Sequence, residues 1–344
     1  MLADYDFSDL LLFPGNWRLK GCPGTDQKLV AVPAECREEV AAMLHALPLE
    51  FVKKRVNPSP GEEEEAEPGN LDGAARSRSI RYCHNGVQYR VAATQDVTGE
   101  FTFFLRRLPA AVPGLAELGL PDHLVDWLVE PEKLQGLVLI TGAQASGKTT
   151  TAGALVAARL ARWGGHGLTL ECPAELPLGG TWGEYGFCIQ TEITSEHELA
   201  RQIECAHRFS SPNVILIGEI RTKYAAVEAL RIAQGSSKQV VITTAFGLDL
   251  LTALGSLLKG ARELDGDSAA QHLANCLLCV IHQDLQSMEG HRVLRVPQFL
   301  LAPFDKNGDA IRAKIRDGRL LALQDDMREQ NNRIAFPSFS GDGR

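Results

Sequence analysis

The eight residues Gly142-Ala143-Gln144-Ala145-Ser146-Gly147-Lys148-Thr149 constrain this chain more than any other stretch. They fit G-x-x-x-x-G-K-[ST], follow the apolar run at 137–141 and open a segment patterned as a helix at 147–163, the strand-loop-helix setting the pattern requires. Glycines let the backbone curl until its N–H groups surround phosphate oxygens, while the helix N-terminus adds positive partial charge. Gly142, Ala145, Ser146, Gly147, Lys148, Thr149 and Thr150 are therefore the expected nucleotide-binding residues. Lys148 is suited to reach the β- and γ-phosphates and the Thr149 hydroxyl to hold Mg²⁺, so ATP and Mg²⁺ are the implied ligands.

Downstream of this loop, strands are predicted at 168–171, 214–217 and 240–244. Helices are predicted between them, one opened by the capping-box pair Ser195 and Glu198 and ending near Ser210, another running through Ala233. Such alternation predicts an α/β domain with a parallel sheet covered on both faces. Upstream, PAAVPGLAELGLP reads as a connector. Short strand-like pieces at 89–93 and 101–105 share a smaller mixed unit with SPGEEEEAEPG at 59–69, which could bury almost nothing and is expected to be a mobile acidic loop. The expected division is 1–109, a linker at 110–121, 122–327, and a loose polar tail at 328–344.

A composition of 44% hydrophobic and 23% charged residues is that of an ordinary folded protein. The net charge of −8 offers nucleic acid no broad attraction, and Trp163 and Trp182 are not interleaved with basic residues, so no direct nucleic-acid readout is expected. The start, MLADYDFSDLLLF, has no basic leader, and the apolar runs fall far short of the roughly 20 residues of a membrane span. Eight scattered cysteines point to a reducing cytoplasm, with any membrane association peripheral. Cys276 and Cys279 are read as packed in a helix, since Leu273, Leu277 and Val280 fall at helical spacing and a structural zinc takes about four ligands.

Nucleotide hydrolysis also needs a carboxylate near the γ-phosphate, and the apolar strand Val214-Ile215-Leu216-Ile217-Gly218-Glu219 supplies Glu219. Where many P-loop enzymes place an Asp before this Glu, Gly218 stands. That strand with Ile220-Arg221 resembles the secretion ATPase superfamily of type IV pilus retraction motors and type II and type IV secretion ATPases. So do Tyr89-Arg90-Val91, Leu105-Arg106-Arg107-Leu108-Pro109, residues 115–121 and GLVLITGAQASGKTTT, whose order and spacing follow the retraction branch. The similarity runs from about Ser8 to Met327.

The resemblance implies a PAS-like α+β domain followed by a RecA-like P-loop ATPase domain, assembled as a cytoplasmic homohexamer with nucleotide between subunits. Its implied partners are an inner-membrane platform protein or secretion-machine base, with a paralogous ATPase a further candidate. Glu171, in the acidic box Thr169-Leu170-Glu171-Cys172-Pro173-Ala174-Glu175, and Glu219 would act on water and metal, and Arg90 and Arg106 would approach the phosphates. Three positions depart from the pattern. Cys172 replaces an Asp, and Gln239 and Phe246 replace the two histidines of the histidine box. Gln239 keeps a hydrogen-bond donor for phosphate or a neighbour, Phe246 has none, and neither carries positive charge, so slow turnover is expected. No paired-cysteine zinc module is legible, which favours the retraction-type or type IVB secretion and conjugation branches over type II. The alternative is an ATP-binding regulatory or structural subunit that docks beside an active motor.

Overall fold

Alternation of buried and exposed side chains builds the first sheet, as in β1 (Asp9–Phe13), where Leu10 and Leu12 are buried and their neighbours are not. The computed structural model describes residues 1–25, 28–53, 79–193, 196–206, 211–235, 239–288 and 291–335, so the acidic run at 59–69, Ser195 and Ser210 lie outside the described residues. These divide into two compact units: Met1–Ala111 with Pro173–Pro177, and Val112–Cys172 with Leu178–Arg344.

In the first unit β1 is followed by β2 (Asn16–Lys20), β3 (Val30–Ala31), α1 (Arg37–Lys53), β4 (Ser79–His84), β5 (Val87–Gln95) and β6 (Phe101–Arg107). The sheet order is β3-β2-β1-β6-β5-β4, every pair antiparallel. Val40 and Met43 of α1 share its apolar core with Leu10, Leu19, Tyr89 and Leu105. β4 and β5 are joined by Asn85-Gly86, both with positive φ (48° and 78°), the combination that matches a two-residue turn to the twist of the strands.

The second unit runs α2 (Asp122–Val129), β7 (Gly136–Gly142), α3 (Lys148–Trp163), β8 (Gly165–Glu171), β9 (Gly180–Trp182), β10 (Gly186–Glu192), α4 (Glu196–Cys205) and β11 (Val214–Ile220). It continues with α5 (Lys223–Gln234), β12 (Val240–Phe246), α6 (Leu250–Asp265), α7 (Ser268–Cys276), β13 (Leu277–Met288), β14 (His291–Leu301), α8 (Lys306–Arg316) and α9 (Leu323–Ala335). Sheet order is β14-β13-β7-β12-β11-β8-β10-β9. From β13 to β10 neighbours are parallel, whereas the edge strands β14 and β9 are antiparallel, a correction to the all-parallel expectation. Leu137 and Leu139 enter one core with Leu170, Ile217 and Val241, and the intervening Val138 and Ile140 are equally buried on the opposite face. Burial on both faces is why these strands read as unbroken apolar runs.

Two further expectations change. The helix containing Cys276 ends there and Leu277 begins β13, so Leu273, Leu277 and Val280 do not share one helical face. Residues 328–335, expected in a loose tail, complete α9. Buried Arg312 helps to hold this end together, donating to the carbonyls of Ala274 (2.7 Å), Leu277 (3.0 Å) and Ala302.

Candidate active site

All seven residues of β7 are buried, and the strand delivers Gly142 to the carboxyl edge of the sheet. The loop turns back on three left-handed backbones, Gly142 (φ 153°), Ala145 (φ 62°) and Gly147 (φ 84°). For Ala145 this conformation costs about 1 kcal/mol or more, strain of a kind that concentrates in ligand-holding loops. Lys148, 7% exposed, folds over the curl and donates from Nζ to the carbonyls of Gly142 (3.2 Å) and Ala143 (2.8 Å). Gly147 caps α3 without a side-chain hydrogen bond, so the first-turn N–H groups face whatever the loop encloses. Thr149 and Thr150 lie half-buried in that turn. The cradle fits a phosphate group: it offers backbone donors, a lysine and the Ser146 hydroxyl, a buried oxygen without a partner among the described residues.

β12 separates β7 from β11, and β8 lies beyond β11. Gly142 is opposite Phe246, and Thr244 of the same strand is opposite Glu219, so the loop and the acids occupy one edge. The pairing of β11 with β12 slips at Gly218: Ile217 meets Thr243, Glu219 meets Thr244, and the Gly218 carbonyl accepts from Thr243 Oγ1 at 2.9 Å. Such a bulge re-aims the side chain that follows it, here Glu219. A Cβ on Gly218 would lie 3.5 Å from Glu171 Cα, an ordinary contact, so crowding does not force glycine where an Asp is common. Glu219 Oε2 accepts from Arg221 Nε at 2.6 Å. Glu171, 4% exposed at the end of β8, accepts from Gln190 Nε2 at 3.1 Å. A cavity of about 300 Å³ opens beside these strand ends, with Cys172, Glu219 and Arg221 in its wall.

The structure separates the three departures. Gln239 is buried at the opposite, amino edge and donates to the Pro212 carbonyl at 2.9 Å, so its hydrogen bond goes to a neighbour and not toward the phosphate loop. Phe246 stands at the carboxyl edge, 55% exposed, between the loop and the acids. Cys172 is exposed just after Glu171.

Arg90 and Arg106 are direct cross-strand neighbours on β5 and β6. Each is paired with a carboxylate of the same unit, Arg90 with Glu175 and Arg106 with Asp9 at 2.9 Å. Cys276 and Cys279 are fully buried free thiols, burial pushing Cys276 up to about 12, and the described residues contain no group of three potential metal ligands.

Sequence reasoning missed two polar residues against the loop. His282 and Gln283 lie on β13, the other neighbour of β7. Gln283 donates to the Ser146 carbonyl at 2.6 Å, and His282 Nδ1 is 3.0 Å from Thr141 Oγ1. Burial, and less so the positive Lys148, push the His282 pKa down against Asp249 and Asp284, favouring neutral imidazole. The available signal was the apolar run 277–281 ending in His-Gln-Asp, a buried strand reaching a polar edge.

Comparison with known proteins identifies the family and the fold. The family model described as "Type II/IV secretion system protein" matches residues 79–287. The uncharacterized protein YggR of Escherichia coli K12 is 30% identical over 191 residues, 53% of each chain. The competence protein ComGA of Halalkalibacterium halodurans is 34% identical over 154 residues, 43% of this chain and 42% of that one. The chain thus spans about half or less of the length of these curated relatives. The crystal structure of the pilus retraction motor PilT with bound ADP superposes with a TM-score of 0.67 at 22% identity, covering 94% of this chain and 86% of the other, a likeness of fold. Among the described residues no helix is long and apolar enough to cross a membrane.

Proposed function

The chain belongs to the type II/IV secretion system protein family, a family of secretion and pilus ATPases, and from that premise we propose that it is a Mg²⁺-dependent ATP-hydrolysing motor. One observation carries the reading: Lys148 is tucked against the Gly142 and Ala143 carbonyls at the uncapped start of α3, on the sheet edge that also holds Glu219 and Glu171. When bound, Mg²⁺ would be held by Thr149 and phosphate oxygens and would neutralise charge on the transferred group. The backbone donors of the loop orient the phosphates, and Glu219, re-aimed by the bulge, takes the proton of the attacking water, with Glu171 beside it.

In this reading the protein works in the cytoplasm as a homohexamer and drives a membrane platform protein of a type IV pilus or a type IV secretion or conjugation machine. Arg90 and Arg106 approach the nucleotide in the assembled ring, leaving their carboxylate partners. The test is steady-state ATP hydrolysis across a protein concentration series, with sizing in parallel and Lys148→Ala as control. A rate that rises with hexamer formation and vanishes in the control supports the motor. Binding without turnover above the control overturns it and favours a regulatory subunit, a reading motivated by Gln239 facing Pro212 and by apolar Phe246 at the catalytic edge.

A further inference from the structure

The buried pair on β13 connects the phosphate loop to a second element. Parallel register sets His282 opposite Thr141, the residue that leads into Gly142, and the two side chains share a hydrogen bond at 3.0 Å. The same imidazole lies near the Leu248 backbone and feels the charge of Asp249. These residues lie in the turn that opens α6, where Asp249 is the N-cap and accepts from Thr252 N at 2.8 Å.

That turn touches the loop a second time. Gly247 N donates to the Gly142 carbonyl at 3.3 Å, the same oxygen that receives Lys148 Nζ at 3.2 Å. It is anchored behind by Leu250 N, which donates at 2.9 Å to Gln298 Oε1, and Gln298 is the partner of His282 across β13 and β14. Two donors share one carbonyl, so any change in the pull of Lys148 on a bound phosphate changes the hold of Gly142 on Gly247. The loop base and the start of α6 are joined by the Gly247–Gly142 hydrogen bond, and the imidazole, bonded to Thr141, stands beside that joint.

We propose that His282 is a positioning residue that couples occupancy of the phosphate loop to the turn 247–250 and so to the start of α6. It rests on the nucleotide reading above and deepens it. No proton is transferred in this role: the imidazole stays neutral and acts through its Nδ1 hydrogen bond with Thr141.

The experiment is hydrogen exchange on the full chain, alone and with Mg·AMP-PNP or Mg·ADP, for the unaltered protein and for His282→Ala, His282→Asn and Thr141→Val. In the unaltered protein nucleotide is expected to slow exchange in peptides covering both 142–150 and 247–258. His282→Ala should bind nucleotide within about tenfold of the unaltered affinity and keep the slowing at 142–150. Its slowing at 247–258 should fall about fivefold, the effect of one buried hydrogen bond. Asn places an amide near the position of Nδ1 and should restore it. An imidazole that only filled space would lower the melting temperature yet leave the nucleotide-dependent slowing at 247–258 intact, which overturns the coupling. Should His282→Ala fail to fold, Thr141→Val decides: the same loss supports the coupling and undiminished slowing overturns it. An unaltered protein that binds nucleotide without slowing at 247–258 overturns this inference alone, whereas one that binds neither nucleotide overturns the nucleotide reading with it.

Discussion

Replacing Gly142 with alanine tests the close packing of the phosphate loop. A Cβ there would lie 2.3 Å from the Gln283 carbonyl and 2.5 Å from Ser146 Oγ, on a backbone with φ +153°. The Ser146 hydroxyl can rotate away, but the Gln283 oxygen belongs to the backbone of β13 and can move only with the strand. Overpacking costs about 1–3 kcal/mol and the strained backbone about 1–3 kcal/mol more, so in a unit of this size the melting temperature should fall by about 5–15 °C. Gly119→Ala is the matched control: its φ is +81° but nothing lies within 4 Å of the added Cβ, so only backbone strain acts, about 2–4 °C. Adding Ser146→Gly to Gly142→Ala removes the softer clash and should recover part of the loss. Scanning calorimetry gives the melting temperatures, and titration with a fluorescent ADP analogue reports the loop. A Gly142→Ala protein no less stable than the Gly119 control, with unchanged nucleotide affinity, would refute the contact with β13.

Glu219→Gln keeps the shape and the hydrogen-bonding capacity of the side chain while removing a base, so nucleotide affinity should hold and steady-state hydrolysis should fall about 10²- to 10⁴-fold. Equal rates with intact binding would exclude Glu219 as the base. Arg312→Met leaves the Ala274, Leu277 and Ala302 carbonyls without their donor, and at about 1–3 kcal/mol for each unpaired buried group the unfolding free energy from denaturant titration should drop by several kcal/mol; a midpoint within error of the unaltered protein would contradict the burial of this guanidinium. His123 and His282 both have pKa values held below 6.5 by burial, so the unfolded chain takes up protons first as pH falls. Their contribution to stability is complete above about 6.5 and is lost as pH drops below it through the folded values. Denaturant unfolding between pH 7.5 and 5.5 should be less steep in pH for His123→Gln than for the unaltered chain.

The phosphate loop was legible because its signal is local: the strand, the glycines, Lys148 and the helix follow one another in the chain, and the backbone needs only those residues to curl. The place of Glu219 at the carboxyl edge was legible for the same reason, as a carboxylate ending an apolar run. What the residues alone did not disclose depends on which strands become neighbours. β13 inserts beside β7 although some 140 residues separate them, so the contacts of Gln283 and His282 with the loop exist only after the sheet is assembled. The apolar run around Cys276 was read as helix because buried helix and buried strand are both continuous in apolar residues over so short a window. β9 and β14 escaped because antiparallel edge strands answer to their partner and not to the alternation of strand and helix that announces the parallel core.

The departures at Gln239 and Phe246 are not equivalent once placed on the sheet. Gln239 works at the amino edge, where its amide closes the Pro212 carbonyl, so a histidine there would have to serve that bond before it could serve a phosphate. Phe246 stands at the carboxyl edge itself, and in the proposed reading a ring without a donor would leave developing negative charge to Lys148 and to cations brought from elsewhere. Arg221 is nearby but paired with Glu219 at 2.6 Å, and with its side chain 63% exposed that pair is worth at most about 1 kcal/mol, too little to lock the carboxylate against water. Slow turnover, if measured, therefore has its cause in the missing donor at position 246 and not in a sequestered base. The ring of Phe246 stands opposite Gly142 in the register of β12 and β7, and the turn it precedes is tied to the loop by Gly247 N on the Gly142 carbonyl and anchored behind by Gln298.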